Sequence, residues 1–395
     1  MNDLSTQIPA IDLDAVTNPI ASSRCMPGRA YTDPQLFEFE RDQVLGKTWA
    51  GLAFASELPL NGSLLPVDFM GLPLLVTRDQ QGEINVFHNV CRHRGMTLVA
   101  AAQDHARGVR CPYHSWFYDL NGNLKTTPHI GGHGTHTAEG FSCADNNLKS
   151  VRSHTWMGVI FINLSADGED FADFIGPLEQ RWTPFMGSAG VSQLTPSSAQ
   201  GAIEIEVAAN WKLAVENYCE AYHLPWVHPA LNSYSPLDKH YNIIAADNMS
   251  GQGSLAYTLC EVAGTELPQF GDWPQEQLRH AEYISLYPNV LLGLQVDHAF
   301  AMILQPVAAD KTIEKLQISY LDDGAESNHY QVSRDAVVDS WQQVFGEDIF
   351  AVEGMQNARR SPGFDGGVFS PVQDIPSHHF HGWVADRYKQ GQQPV

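Results

Sequence analysis

The chain has 395 residues, more than one compact core usually holds, so two domains or one inserted in another is the expectation. Its 23 basic and 45 acidic residues give a net charge of -22, which opposes binding to nucleic acid or an anionic membrane and is compatible with a cationic substrate or a basic protein partner. The N-terminus has no basic and apolar leader, and no stretch approaches the roughly 18 apolar residues of a membrane span, so a cytoplasmic location is expected. Six cysteines are too sparse for a secreted disulfide framework, which leaves reduced thiols or thiolate ligands.

Residues 1–46 pass from Pro and Gly punctuation into a short helical pattern at "TDPQLFEFERDQVL". From 47 to 165 the texture becomes short alternating runs, among them "SLLPVDFMGLPLLVTRD", "EINVFHNV" and "GVIFINLS", separated by Gly, Asn and Asp turns. This segment reads as a small antiparallel β domain. Residues 166–186 look helical and "GAIEIEVAAN" alternates like a strand. It runs into "WKLAVENYCEAYHLPWVHP" (211–229), spaced as a helix until Pro225 and Pro229 end it. Strand-like runs such as "HAFAMILQPVA" and a long helical segment over 328–360 complete an α+β second domain covering 166–395.

Two stretches carry chemistry. "CRHRGMTLVAAAQDHARGVRCPYHSW" (91–116) places Cys91 with His93 and Cys111 with His114. Two thiolates and two imidazoles on paired loops can ligate a tetrahedral zinc, or a [2Fe-2S] cluster in which histidines replace two cysteines on one iron. Each loop offers one ligand of each kind, unlike the knuckles of zinc fingers. Downstream, His223 and His228 with a carboxylate would form the facial triad of non-haem Fe(II) oxygenases, although two histidines near a helix end can equally be structural.

"CRHRG" and "CPYHSW" closely resemble the two loops of Rieske proteins, and the resemblance assigns the cysteines to one iron and the histidines to the other. Met96 and Tyr113 stand where respiratory Rieske proteins carry an additional disulfide, which resembles the low-potential oxygenase type. Asn210, Trp211, Lys212, Glu216, Asn217, Tyr222, His223 and His228 fall in register with the catalytic motif of Rieske non-haem iron oxygenases. The resemblance implies a helix-grip (START-like) catalytic domain with a central antiparallel sheet, a small antiparallel β Rieske domain ahead of it, and the 1–46 segment packed on the catalytic domain.

The same resemblance implies a third iron ligand in "GEDIFAVEGMQNARRSPGF": Asp348, with Glu347 as competitor. Neighbours on a helix point about 100° apart, so one of the two faces the metal. Asn217, Tyr222 and Gln356 are candidates to support the ligands. Glu220 would join a Rieske histidine of one subunit to His223 of its neighbour, the i to i+3 spacing placing both on one helix face. Glu rather than Asp here, within "E-x-YH", resembles members that oxidise carnitine, choline and betaines, although those often have Cys where this chain has Ala221.

The resemblance therefore implies a terminal oxygenase component with a Rieske [2Fe-2S] cluster and a mononuclear Fe(II), fed by a separate flavin or ferredoxin-type reductase and assembled as a homotrimer or a multiple of trimers. It would hydroxylate or N-demethylate a small quaternary ammonium or betaine-like compound; the alternatives are hydroxylation of an aromatic ring or, less favoured, a pure electron carrier. Tyr283, Tyr287, Phe300 and Trp226 are candidates to face a cationic substrate, with core packing the competing role. The histidine-rich stretches "PHIGGHGTHT" and "SHHFHGW" lack a carboxylate or thiolate at metal-binding spacing and read as loop or packing residues.

Overall fold

In a computed structural model, which describes residues 13–197, 203–260 and 262–391, the chain divides into two compact units. One is residues 51–166; the other joins residues 1–50 to 167–395. No helix among the described residues is long and apolar enough to cross a membrane.

The 51–166 unit is antiparallel β throughout. Ala50–Phe54, Val159–Asn163, Ser150–Trp156, Ile84–His88, Leu72–Arg78 and Leu64–Phe69 form one sheet in that order, and Val109–Arg110, Phe117–Tyr118 and Leu124–Thr126 form a second, smaller one. A core of Leu75, Phe87, Trp116, Tyr118 and Leu124 also encloses Cys91 and Cys111, so both thiols sit under apolar cover. The histidine-rich stretch 128–137 is an exposed turn-rich loop.

The larger unit is an antiparallel sheet with helices packed against it. Lys311–Leu321 pairs with both Leu194–Pro196 and Ile203–Val207, and is followed across the sheet by His298–Ala308, Val290–Leu294, Ala281–Leu286, Met249–Ser254 and His240–Ala246. The longer helices are α1 (Pro34–Gln43), α2 (Phe171–Met186), α3 (Trp211–Cys219), α4 (Gln331–Ala358) and α5 (Ile375–Gly391). The second histidine-rich stretch lies in α5.

Asn210 caps α3, its side chain accepting from the Lys212 amide. The Asn210 amide in turn donates to Gln356 Oε1 at 3.1 Å, and Gln356 Nε2 donates to the Tyr31 carbonyl at 3.0 Å, tying α4 and the N-terminal segment to the head of α3. Lys212 is fully buried against the Glu40 carboxylate, which also accepts from Trp211 Nε1 at 2.8 Å and from the Tyr388 hydroxyl. Glu216, one turn on, accepts from the Tyr31 hydroxyl at 2.5 Å and faces Arg359 and His381. Buried charges survive because each is paired and hydrogen-bonded.

The helix expected to run to Pro225 ends sooner. α3 stops at Cys219, and Glu220 is extended with φ -125° and ψ 162°. The Glu220 carboxylate accepts the backbone amides of Tyr222 and His223, an alternative to helix bonding, and Pro225 starts a separate short turn at Leu224–Val227.

Candidate functional site

The two Cys and His loops of the smaller unit are built alike. The Cys91 amide donates to the Met96 carbonyl at 2.8 Å and the Gly95 amide to the Cys91 carbonyl at 3.1 Å; the Cys111 amide donates to the Trp116 carbonyl at 2.8 Å and the Ser115 amide to the Cys111 carbonyl at 3.0 Å. Each turn needs a left-handed residue at its fifth position, Gly95 at φ +74° and Ser115 at φ +58°. The result is a pair of matched turns presenting their side chains together. The His93 and His114 rings lie 4.7 Å apart, and His93 stacks on Trp116. The Tyr118 hydroxyl lies 3.4 Å from Cys91 Sγ and accepts from the Arg92 amide.

In the larger unit, His223, His228 and Asp348 bring one ligand atom each within 4.8 Å of one another. His228 Nε2 lies 2.9 Å and His223 Nε2 3.7 Å from the same Asp348 oxygen. Their other nitrogens are also taken: His223 Nδ1 meets Glu220 at 2.6 Å, and His228 Nδ1 meets Glu347 at 2.8 Å. A carboxylate can only accept, so Nδ1 donates to Glu220 in His223 and to Glu347 in His228, and both Nε2 atoms face Asp348. A cation placed among them would take one electron pair from each Nε2 and one from Asp348. Burial holds the His228 imidazole down while Asp348 and Glu347 pull it up, and the pull prevails.

Glu347 and Asp348, the two competing carboxylates, therefore both address His228, from opposite sides of its ring. Glu220 meets His223 through a turn rather than along a helix face. Among the other candidates, Asn217 lines the cleft beside the triad, while Tyr222 is 45% exposed and makes an edge contact with Trp226. Gln356 lies away from the triad, eight residues and about 12 Å further along α4, where it bonds Asn210.

The cleft beside the triad is walled by Tyr218, Tyr283, Trp341 and Phe345 and carries a polar edge of Ser235, His240 and Gln252. Tyr218, Trp341, Phe345 and His240 were not singled out from the sequence. The three aromatic residues have helical spacing indistinguishable from core packing, and His240 opens a strand with no motif around it. Of the four aromatic candidates, Tyr283 lines the cleft; Phe300 packs behind it on Trp341 and Phe345. Tyr287 stacks among His379, Phe380 and Trp383, and Trp226 is 70% exposed.

Two family models match this chain: "Rieske [2Fe-2S] domain" over residues 48–140 and "Ring hydroxylating alpha subunit (catalytic domain)" over residues 197–390. The chain belongs to the Rieske oxygenase alpha subunits. The glycine betaine monooxygenase oxygenase subunit of Pseudomonas aeruginosa is 34% identical over 207 residues, 52% of this chain and 45% of that protein, so the match spans less than half of that relative. The carnitine monooxygenase oxygenase subunit of Escherichia coli K12 is 25% identical over 386 residues, 92% of this chain and 94% of that protein. The crystal structure of a quaternary ammonium Rieske monooxygenase has the same fold, with a TM-score of 0.77 at 22% identity, covering 96% of this chain and 100% of that one.

The cofactors of this family are a Rieske [2Fe-2S] cluster and a mononuclear iron, and the residues present fit both. Around one tetrahedral zinc, ligand atoms lie about 3.3 to 3.8 Å apart. Among the described residues the one group of three ligands within 4.8 Å is His223, His228 and Asp348, so Cys91, His93, Cys111 and His114 do not converge on a single ion. A two-iron cluster needs that wider set. His114 Nδ1, buried and without a hydrogen-bond partner, is an orphaned nitrogen that such a cluster would engage.

Proposed function

We propose that the chain is the terminal oxygenase of a multicomponent system that oxidises a small quaternary ammonium compound. Cys91, Cys111, His93 and His114 would hold the cluster, and His223, His228 and Asp348 the mononuclear iron. When bound, the cluster stores an electron and the iron activates dioxygen. Electrons come from a separate reductase, since the sequence carries no flavin or nicotinamide motif. In a homotrimer, Glu220 would bridge His223 to the Rieske histidine of a neighbouring subunit, its carboxylate fixing the tautomer of the imidazole it accepts from.

The substrate class is carried by the cleft. Four aromatic faces, those of Tyr218, Tyr283, Trp341 and Phe345, stand beside a centre where Asp348, Glu347 and Glu220 supply three carboxylates. Aromatic faces attract a cationic ammonium, and a divalent metal leaves that centre with net negative charge, which favours a cation and disfavours an anion. Quaternary ammonium oxidation by relatives supports the same class. In this reading an N-methyl group would lie against the aromatic walls beside the triad.

Oxidation of that methyl consumes dioxygen, two electrons and two protons, yielding an N-hydroxymethyl group and water. The C–N bond then breaks, releasing formaldehyde, a proton and the tertiary amine. An aromatic ring is the second reading, favoured by the same apolar walls. Oxygen uptake coupled to NADH, with formaldehyde assay, separates the two across choline, carnitine, glycine betaine and a panel of aromatic acids. Stimulation by a quaternary ammonium compound with formaldehyde release is expected; stimulation by aromatic compounds alone overturns the substrate class.

A further inference from the structure

Glu347 and Asp348 are consecutive on α4, yet they close on one imidazole from its two ends. Glu347 Oε2 lies 2.8 Å from His228 Nδ1, and Asp348 Oδ1 lies 2.9 Å from His228 Nε2. The 100° step between helix neighbours, which would ordinarily send one of them elsewhere, spans the width of the ring. Glu347 is itself fixed at its second oxygen, which accepts from Gln343 Nε2 at 2.8 Å, one turn back on the same helix. His228 is 1% exposed, so its ring has little freedom beyond what this helix imposes.

We propose that Glu347 is a positioning residue for the mononuclear metal, holding the Nδ1 proton of His228 so that the Nε2 lone pair is the one presented beside Asp348. The assignment rests on the reading of His223, His228 and Asp348 as an iron triad, and it gives the sequence's competing carboxylate a role of its own. Glu347 does not ligate; it sets the tautomer and angle of a residue that does. Removing such a partner typically weakens metal binding about 10- to 100-fold.

The rigid part of the clamp is α4. Glu220, the carboxylate on His223, sits instead in an irregular turn outside any helix and divides its oxygens between that ring and two backbone amides. Among the described residues, Glu347 hydrogen-bonds to the side chains of His228 and Gln343 rather than to backbone amides. Its loss is therefore felt at the metal with little disturbance of the chain around it.

The test uses the full chain loaded with both cofactors, the Rieske cluster serving as an internal standard. Wild type, Glu347→Ala, Glu347→Gln and Gln343→Ala are challenged with a ferrous chelator, and the third iron is counted against the electron paramagnetic resonance signal of the reduced cluster. Loss of that iron about 10- to 100-fold faster from Glu347→Ala is expected, with a full cluster signal, rescue in Glu347→Gln and a smaller effect in Gln343→Ala. The amide rescues because its oxygen still accepts the Nδ1 proton. Retention of iron by Glu347→Ala as in wild type overturns the proposal, as does equal loss from the Ala and Gln variants. A wild-type chain that takes up no third iron overturns the triad itself.

Discussion

The smaller unit and the larger one build their candidate metal sites by opposite means. The Rieske loops are local and largely made of backbone: two turns, each closed by hydrogen bonds within six residues, with left-handed Gly95 and Ser115 at matching places. The triad is long-range and made of side chains, with His223 and His228 on turns following α3 and Asp348 some 120 residues later on α4. Charge divides the same way. Residues 51–166 hold eight basic and eight acidic residues, so the entire net charge of -22 lies in the rest of the chain. A local site survives as long as its turns do, whereas a long-range site depends on everything that keeps its elements in register.

The largest expected effects come from breaking each site separately. Asp348→Ala should remove the mononuclear iron and leave the cluster signal intact, Cys111→Ser should remove the cluster signal and leave the mononuclear iron, and both should abolish oxygen uptake, with iron analysis and electron paramagnetic resonance as the readouts. Loss of both centres from either variant would mean that the two sites are not independent.

Next comes the scaffold of the triad. Lys212→Met leaves the Glu40 carboxylate buried without its cation, a change that costs on the order of 3–5 kcal/mol. Thermal unfolding of the larger unit should shift down accordingly, with no change in the optical spectrum of the cluster.

A second effect on stability is pH-dependent. Burial, reinforced by the Asp348 charge, pushes the Glu314 carboxyl up to about 8. The unfolded chain releases this proton near pH 4.5 and the folded chain near pH 8, so the folded state binds more protons across that interval. Stability from this group is therefore undiminished below pH 4.5 and falls as pH rises toward 8. Glu314→Gln should unfold at a higher temperature than wild type at pH 8 and show no such advantage at pH 4.5.

The smallest effect is at the cluster. Tyr118→Phe removes the hydroxyl beside Cys91 Sγ, a hydrogen bond worth about 1 kcal/mol, or roughly 40 mV for one electron. Because the bond favours the more negative reduced state, the potential should fall, as redox titration of the cluster would show.

These differences also explain what was legible in the sequence. Cys91, His93, Cys111 and His114 stood out as candidates through the Rieske resemblance, and the structure places them on two turns closed by local hydrogen bonds. The antiparallel sheets were legible from alternation, and α4 from its length. Asp348 was preferred to Glu347 on the family resemblance; what periodicity did not show is that both carboxylates meet His228, because an imidazole has two nitrogens to offer. The break at Glu220 escaped for a related reason: apolar spacing continues through 211–229, and what ends α3 is a carboxylate capturing backbone amides. Trp341 and Phe345 were hidden in plain view, since a cleft wall and a core face share one pattern.

The chain leaves the larger unit at Ala50 and re-enters it at Asp167. Between those points its first and last strands, Ala50–Phe54 and Val159–Asn163, are neighbours in one sheet, about 4.8 Å apart. The 116 residues from 51 to 166 thus begin and end side by side, the arrangement of a removable cassette. An exchange of this segment for that of another family member would be joined at two adjacent points and would leave every residue lining the cleft unchanged.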